Sequence, residues 1–190
     1  MTTIYAFDTA TSVATCALVR DGDVLRERVT SAKAVLAAAD ELVRDAGIEP
    51  RELDALVVGT GPGSFNSIRI GLATARGLAL ALDVPVAGVS TLHAFAGGTP
   101  VIDARRREVF TTGPSVARPE ELAVAGSRLI GDGAVRYRTV FEAAGAEVPP
   151  DDDPVHRPAA HRLVEHATSF GRAEAVEPVY LRAPDARPSR

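Results

Sequence analysis

The chain has 190 residues, 46% of them hydrophobic and 24% charged, with 5% aromatic and no tryptophan. That balance is the signature of a folded soluble protein rather than a disordered one, and a single cysteine, Cys16, excludes an internal disulfide and any multi-cysteine metal site. A net charge of −4 argues against a chain that grips RNA unaided, because phosphates call for a basic face. No apolar stretch approaches the ~20 residues needed to span a bilayer. The N-terminus has no basic stretch followed by a long apolar block, so the cytoplasm is the expected location. With so few rings, the core has to be close-packed Ala, Val, Leu and Ile.

In chain order, residues 3–7 read as a strand ending at Asp8, and 13–19 as a second strand. Asp21-Gly22 supplies a tight hairpin turn, since both residues tolerate positive φ. Residues 24–29 return as a third strand. Ala32, Val35, Leu36, Ala39, Leu42, Val43 and Ala46 then recur three and four apart, the stripe of one helix face, with Ser31 as its expected N-cap and Gly47 as its stop. The opposite side carries Ala34, Ala37 and Ala38 among Lys33, Asp40 and Glu41, a second and shallow face.

A buried-looking strand at 53–59 leads into Gly59-Thr60-Gly61-Pro62-Gly63-Ser64-Phe65 and a helix over 66–82. That helix is apolar nearly all round, so it expects cover on more than one side. Gly71, Ala75 and Ala79 stand four apart on one face, and Ala73, Gly77 and Ala81 form another. Two interior glycines cost about 1 kcal/mol each relative to alanine, which close packing would offset. A strand at 85–89, a short helix at 92–96 and a boundary at Gly97-Gly98-Thr99-Pro100 follow. The second half opens with a hairpin, 101–104 and 108–112, and Arg105-Arg106-Arg107 reads as its solvated tip. Weaker signals place a helix over 135–144, another over 159–170, a last strand over 178–182 and a frayed tail over 183–190. Both halves begin with strand, turn, strand, so a duplicated α/β unit is expected, divided into 1–98 and 99–190.

Few of the chemical motifs point to catalysis. The glycine loop lacks the Lys-Ser/Thr ending of a P-loop, and its glycines at 59, 61 and 63 are misplaced for a dinucleotide fingerprint, so a structural turn outweighs a nucleotide site. Asp8-Thr9-Ala10-Thr11 follows the first strand, where either a phosphate-handling acid or a turn cap would stand. His93, His156, His161 and His166 lack the spacing of a zinc site. Cys16 lies in an apolar run and reads as an inert buried thiol.

Tyr5-Ala6-Phe7-Asp8-Thr9-Ala10-Thr11, Gly61-Pro62-Gly63-Ser64-Phe65, Ser67-Ile68-Arg69-Ile70-Gly71 and Ala75-Arg76-Gly77-Leu78-Ala79 together resemble the TsaB (YeaZ) family. Pro85-Val86-Ala87-Gly88-Val89-Ser90-Thr91-Leu92, Val101-Ile102-Asp103-Ala104-Arg105-Arg106 and Pro178-Val179-Tyr180-Leu181-Arg182 extend the likeness, dense over 3–110 and patchy beyond. The resemblance implies an actin-like, Hsp70-like ATPase fold (ASKHA, ribonuclease H-like) of two related subdomains. It implies a non-catalytic subunit in the synthesis of threonylcarbamoyladenosine next to the anticodon of ANN-decoding tRNAs. The implied partners are the catalytic subunit TsaD and the ATPase TsaE, with tRNA reached only through the complex and a homodimer possible when the chain is alone. Docking is implied through the helices at 32–46 and 66–82, and the candidate interface residues are Ala34, Ala37, Ala38 and Glu41 on the first and Ile68, Gly71, Leu72, Ala75 and Ala79 on the second.

TsaD-type enzymes carry Asn-His-x-x-x-His after a Gly-Val. Here the stretch is Ser90-Thr91-Leu92-His93-Ala94-Phe95, with Thr91 and Phe95 at the two histidine places, so no catalytic, cofactor or metal residues are expected. This chain departs from the family in lacking the His-Ser that often begins the first helix, and in a second half shortened around 112–119. The rival expectation is an independent ATP-binding enzyme or a metallopeptidase-like hydrolase built on Asp8 and the glycine loop.

Overall fold

The computed structural model describes residues 1–113 and 115–182. Strands β1 (Thr3–Asp8), β2 (Ala14–Arg20) and β3 (Asp23–Thr30) form an antiparallel meander, and β4 (Ala55–Gly59) and β5 (Val86–Val89) add in parallel on the other side, giving the order β3-β2-β1-β4-β5. The β2–β3 turn works as its sequence requires, with Asp21 at φ 52° and Gly22 at φ 91°. Alternation along β1 sends Tyr5 and Phe7 to one face and Ala6 to the other.

The large side chains face two helices, α1 (Val35–Asp45) and α2 (Phe65–Leu82), which lie over the same side of the sheet. Val35, Leu42, Val43, Ile68, Leu72 and Ala75 close that core, and the Tyr5 hydroxyl donates to the Val35 carbonyl at 2.8 Å. Burial pushes the Tyr5 hydroxyl's pKa well above its ordinary value. The helix expected at 32–46 starts instead as a 3-10 turn over Ala32–Ala34, and the Ser31 side chain makes no capping bond. Gly47 does end the helix, at φ 68°.

The small-residue face of the sheet, Ala6, Ala17, Val57 and Ala87, is covered by Ala160 and Leu163 beside and within α5 (His161–Glu165). That helix is far shorter than the expected 159–170, because the chain after it extends and exchanges two hydrogen bonds between Gly171 and Val86 at the β5 edge.

A second sheet contains β6 (Thr99–Arg105), β7 (Glu108–Thr111), β8 (Ser115–Ala117) and β9 (Leu129–Ile130) in the order β8-β7-β6-β9. One face packs Val101, Val109 and Leu129 against Ala134 of α3 (Asp132–Arg136) and Phe141 of α4 (Arg138–Ala143). The single helix expected at 135–144 is thus two, broken at Tyr137, whose φ and ψ of −112° and 23° leave the helical well. The first of them sits tight on β6, where a Cβ on Gly133 would lie 2.8 Å from the Ile102 carbonyl carbon. The other face, with Ile102, Phe110 and Ile130, packs on Phe95 and Leu181.

The protein is therefore a mixed α/β chain with two sheets. Residues expected to belong wholly to a second unit do not: Ala160, Leu163, Ala173 and Val176 pack with the first sheet, so the chain leaves that sheet after β5 and comes back. No strand forms over 178–182; Val179 makes one backbone bond, to the Thr60 carbonyl at 2.8 Å. The tail expected over 183–190 lies outside the described residues. Among the described residues no helix is long and apolar enough to cross a membrane.

Candidate functional site

The two motifs that invited catalysis, the turn after β1 and the glycine loop after β4, meet and consume each other. Asp8 is wholly buried; its carboxylate accepts the Thr91 hydroxyl at 2.5 Å and the Ala10 N–H at 2.8 Å. Burial raises its pKa, against the lowering effect of those two hydrogen bonds. Thr91 in turn accepts from the Gly61 N–H at 3.1 Å and donates its own N–H to the Gly61 carbonyl at 2.8 Å. Ser64 N–H reaches the Ala10 carbonyl at 2.7 Å, and the Thr9 hydroxyl the Ser67 carbonyl at 2.7 Å.

Three glycines make this approach possible. A Cβ on Gly59 would stand 1.7 Å from Asp8 Oδ2, one on Gly63 2.2 Å from the Ala10 carbonyl, and one on Gly71 2.4 Å from Thr9 Oγ1. The loop N–H groups of Gly61 and Ser64 are thus spent on the protein itself rather than aimed at an anion. In this arrangement Asp8 clamps the turn after β1 to the segment after β5.

Thr91 and Phe95 are both buried, the latter in the apolar cluster behind the second sheet. His93 points outward and stacks on His166 at 4.2 Å, and partial desolvation, then the neighbouring ring, lowers its pKa. His156 is buried and satisfied, accepting the Gly131 N–H at Nδ1 and meeting the Pro149 carbonyl at Nε2, both at 3.1 Å. His161 pairs with Glu27 at 2.9 Å.

A cleft of about 400 Å³ opens between the two sheets, lined by Ser12, Ser64, Asn66, Asp103, Asp132 and Tyr180 among others. Its two carboxylates are engaged internally. Asp103 faces Arg105 at 3.3 Å and Arg136 at 3.7 Å. Asp132 accepts the Asp103 N–H at 3.0 Å and the Ser12 N–H at 3.3 Å. The turn after β1 and the glycine loop, both marked by sequence, supply part of this wall through Ala10, Thr11, Gly63 and Ser64, but nothing marked its carboxylates, because Ser12 and Asp132 are 120 residues apart. The basic run does form the β6–β7 turn, all three arginines at positive φ. Arg105 answers Asp103, and Arg107 answers Glu120 at 3.4 Å.

The helix faces need correction. Of the nine candidate interface residues, Ala38, Ile68, Gly71, Leu72, Ala75 and Ala79 are buried in the chain's own core, and Ala34 is half-buried in the 3-10 turn. Only Ala37 and Glu41 face solvent, Glu41 paired with Arg28. The reason is local: α2 lies across β1 and β4 with Gly71 pressed on Thr9, which fixes the Gly71-Ala75-Ala79 face inward. The other small-residue face then turns out, with Ala73, Gly77 and Ala81 exposed and Leu80 85% exposed beside them. On α1, Leu36, read as part of the core stripe, is 54% exposed, and Ala38 takes the inner place. The outer surface of the helix pair is thus apolar and shallow at Leu36, Ala37, Ala73, Gly77 and Leu80, between charged residues such as Asp40, Glu41, Arg44 and Arg76.

Comparison with known proteins places this arrangement. Residues 29–130 match the family model described as TsaD, tRNA N6-adenosine threonylcarbamoyltransferase. An uncharacterized protein of Mycobacterium tuberculosis is 37% identical over 99% of this chain and 95% of its own length. The tRNA threonylcarbamoyladenosine biosynthesis protein TsaB of Bacillus subtilis is 35% identical over 57% of this chain, and the match spans 53% of that relative. The solved structure of YeaZ from Pseudomonas aeruginosa superposes with a TM-score of 0.77 at 28% identity, covering 95% of this chain and 100% of that one.

Proposed function

This chain belongs to the TsaB (YeaZ) family, and from that premise we propose that it is a non-catalytic docking subunit for a TsaD-like threonylcarbamoyltransferase acting on tRNA. The observation that carries the proposal is the outer face of α1 and α2. On α1 the exposed Leu36 adjoins the exposed Ala37, and on α2 the exposed Leu80 stands about one turn from Gly77, with Ala73 a turn further along. Small residues let a partner helix approach backbone to backbone, and the leucines supply apolar area, about 1.5–3 kcal/mol for Leu80, which is 85% exposed, and about half of that for Leu36, which is 54% exposed. A lone surface leucine needs no explanation, but a helix face of this kind does.

The engagement of the polar groups supports the non-catalytic part of the reading. Asp8, the acid best placed for chemistry by sequence, is wholly buried and engaged by Thr91 and Ala10 beneath Gly59. Thr91 is also the residue standing where TsaD-type enzymes place a ligating histidine, and here its hydroxyl is committed to Asp8. The rival reading, an independent ATP-binding enzyme or metallopeptidase-like hydrolase, has to draw its acid from Asp103 or Asp132, both engaged by neighbouring groups.

In this proposal the two sheets belong to the related subdomains of an actin-like, Hsp70-like ATPase fold, the second shortened, with residues 159–176 returning to the first. The subunit works in the cytoplasm, a TsaE-like ATPase joins the assembly, tRNA is held through the catalytic partner, and the same helix face serves a homodimer when the partner is missing. Reconstitution tests the function: purified TsaD-like and TsaE-like proteins from the same organism, a threonylcarbamoyl donor and an ANN-decoding tRNA, with and without this chain. Modified adenosine, read by mass spectrometry of the digested tRNA, should require the chain, and the chain with tRNA and donor alone should form none. Modification at full rate without the chain, or by the chain alone, refutes the proposal.

A further inference from the structure

The path of the chain between the two sheets has a mechanical consequence. It crosses from the first sheet to the second over residues 90–98 and comes back near 157–160, and these crossings lie side by side, the Ala159 N–H donating to the Ala94 carbonyl at 2.7 Å. Two adjoining crossings make one line about which the sheets can turn, and they do not by themselves fix the opening of the cleft.

Residues 179–182 then span the cleft a third time. Val179 N–H bonds the Thr60 carbonyl at 2.8 Å, on the first side. The Tyr180 ring lies 4.7 Å from that of Phe65, at the start of α2, and its hydroxyl accepts from Arg69 Nε at 3.1 Å while the Arg69 guanidinium sits 3.9 Å from the Phe65 ring centre. Leu181 packs into the cluster of Phe95, Ile102, Phe110 and Ile130 on the other side. Arg182 ends the span by donating to Glu108 of β7 at 2.7 Å, with both side chains less than a third exposed.

Four consecutive residues therefore grip the first half twice and the second half twice, and the same four form one wall of the cleft. We propose that residues 179–182 are a clasp that holds the cleft shut, hinged on the paired crossings. Among the described residues a further polar tie across the cleft, Ser12 N–H to the Asp132 carboxylate, is longer at 3.3 Å. The clasp acts in the lone chain and is independent of the docking proposal.

Hydrogen–deuterium exchange of the full chain tests it. In Arg182→Ala and in Tyr180→Ala, amides at 64–69 and 103–110 should exchange about tenfold faster, as expected from losing one charge-assisted hydrogen bond or one packed ring. Amides of β2 and β4, buried in the first sheet, should keep their wild-type rates. The exchanged pair Glu108→Arg with Arg182→Glu should restore protection at the cleft. Unchanged exchange at 64–69 and 103–110, equal acceleration in β2 and β4, or failure of the exchanged pair to restore protection would overturn the proposal.

Discussion

The two interior glycines of α2 receive opposite predictions from the same substitution. A Cβ on Gly77 meets nothing within 4 Å, and the residue is exposed, so alanine there gains helix propensity at no steric cost. The expected gain is about 1 kcal/mol, or ~2–4 °C in Tm for a chain of this size. A Cβ on Gly71 falls 2.4 Å from Thr9 Oγ1. Thr9 has to rotate and lose its 2.7 Å bond to the Ser67 carbonyl, worth about 0.5–1.5 kcal/mol, and the tight contact adds about 1–3 kcal/mol of overpacking. Against the same propensity gain, Gly71→Ala should destabilise by about 2 kcal/mol, lowering Tm by ~4–8 °C. Thermal and urea unfolding of the isolated chain, followed by circular dichroism, reads both values. A neutral Gly71→Ala or a destabilised Gly77→Ala would mean that α2 is turned the other way, and the assignment of its outer face would fall with it.

Gly59→Ala should be the most damaging glycine substitution, costing more than about 3 kcal/mol, because its Cβ would overlap Asp8 Oδ2 at 1.7 Å; soluble yield and urea midpoint check it, and a near-normal midpoint refutes it. Asp8→Asn should remove a pH dependence. Burial raises the native Asp8 pKa above its unfolded value, so the native state holds a proton that the unfolded state sheds, and stability falls as pH rises from about 4 through the raised native value. Urea midpoints across pH 4–8 should decline less steeply for the variant, and an identical slope contradicts the assignment. Cys16 is fully buried with its thiol pKa pushed up, so a thiol reagent should react with the native chain at least ~100-fold more slowly than with the unfolded one; equal rates would contradict its burial.

Much of the first half was legible because local rules and tertiary structure agree there. The meander, the Asp21-Gly22 turn and the length of α2 all follow from alternation, turn chemistry and helical spacing. The face of α2 was assigned the wrong way round, with Ile68, Gly71, Leu72, Ala75 and Ala79 expected at an interface and found buried. Two alanine–glycine faces differ too little in transfer free energy to rank, and the choice is made by Gly71 against Thr9, a contact between positions 62 residues apart. On α1 the outcome runs against apolar area instead, since the larger Leu36 is 54% exposed while Ala38 is 3% exposed. In the second half the elements are short and bounded by contacts distant in sequence, so α3 ends at Tyr137 and residues 179–182, expected within a strand, reach partners in both halves. The cleft carboxylates Asp103 and Asp132 escaped notice for the same reason: what gathers them is the packing of α3 on β6.

The outer helix face is tested most directly by one substitution with little structural effect on the lone chain. Leu80 is 85% exposed, so Leu80→Glu should leave Tm near the parent's, while placing a charge within the proposed contact. Light scattering of a mixture with the TsaD-like subunit should then give a heterodimer for the parent and two separate proteins for the variant. A folded Leu80→Glu chain that pairs as tightly as the parent would contradict docking through this face.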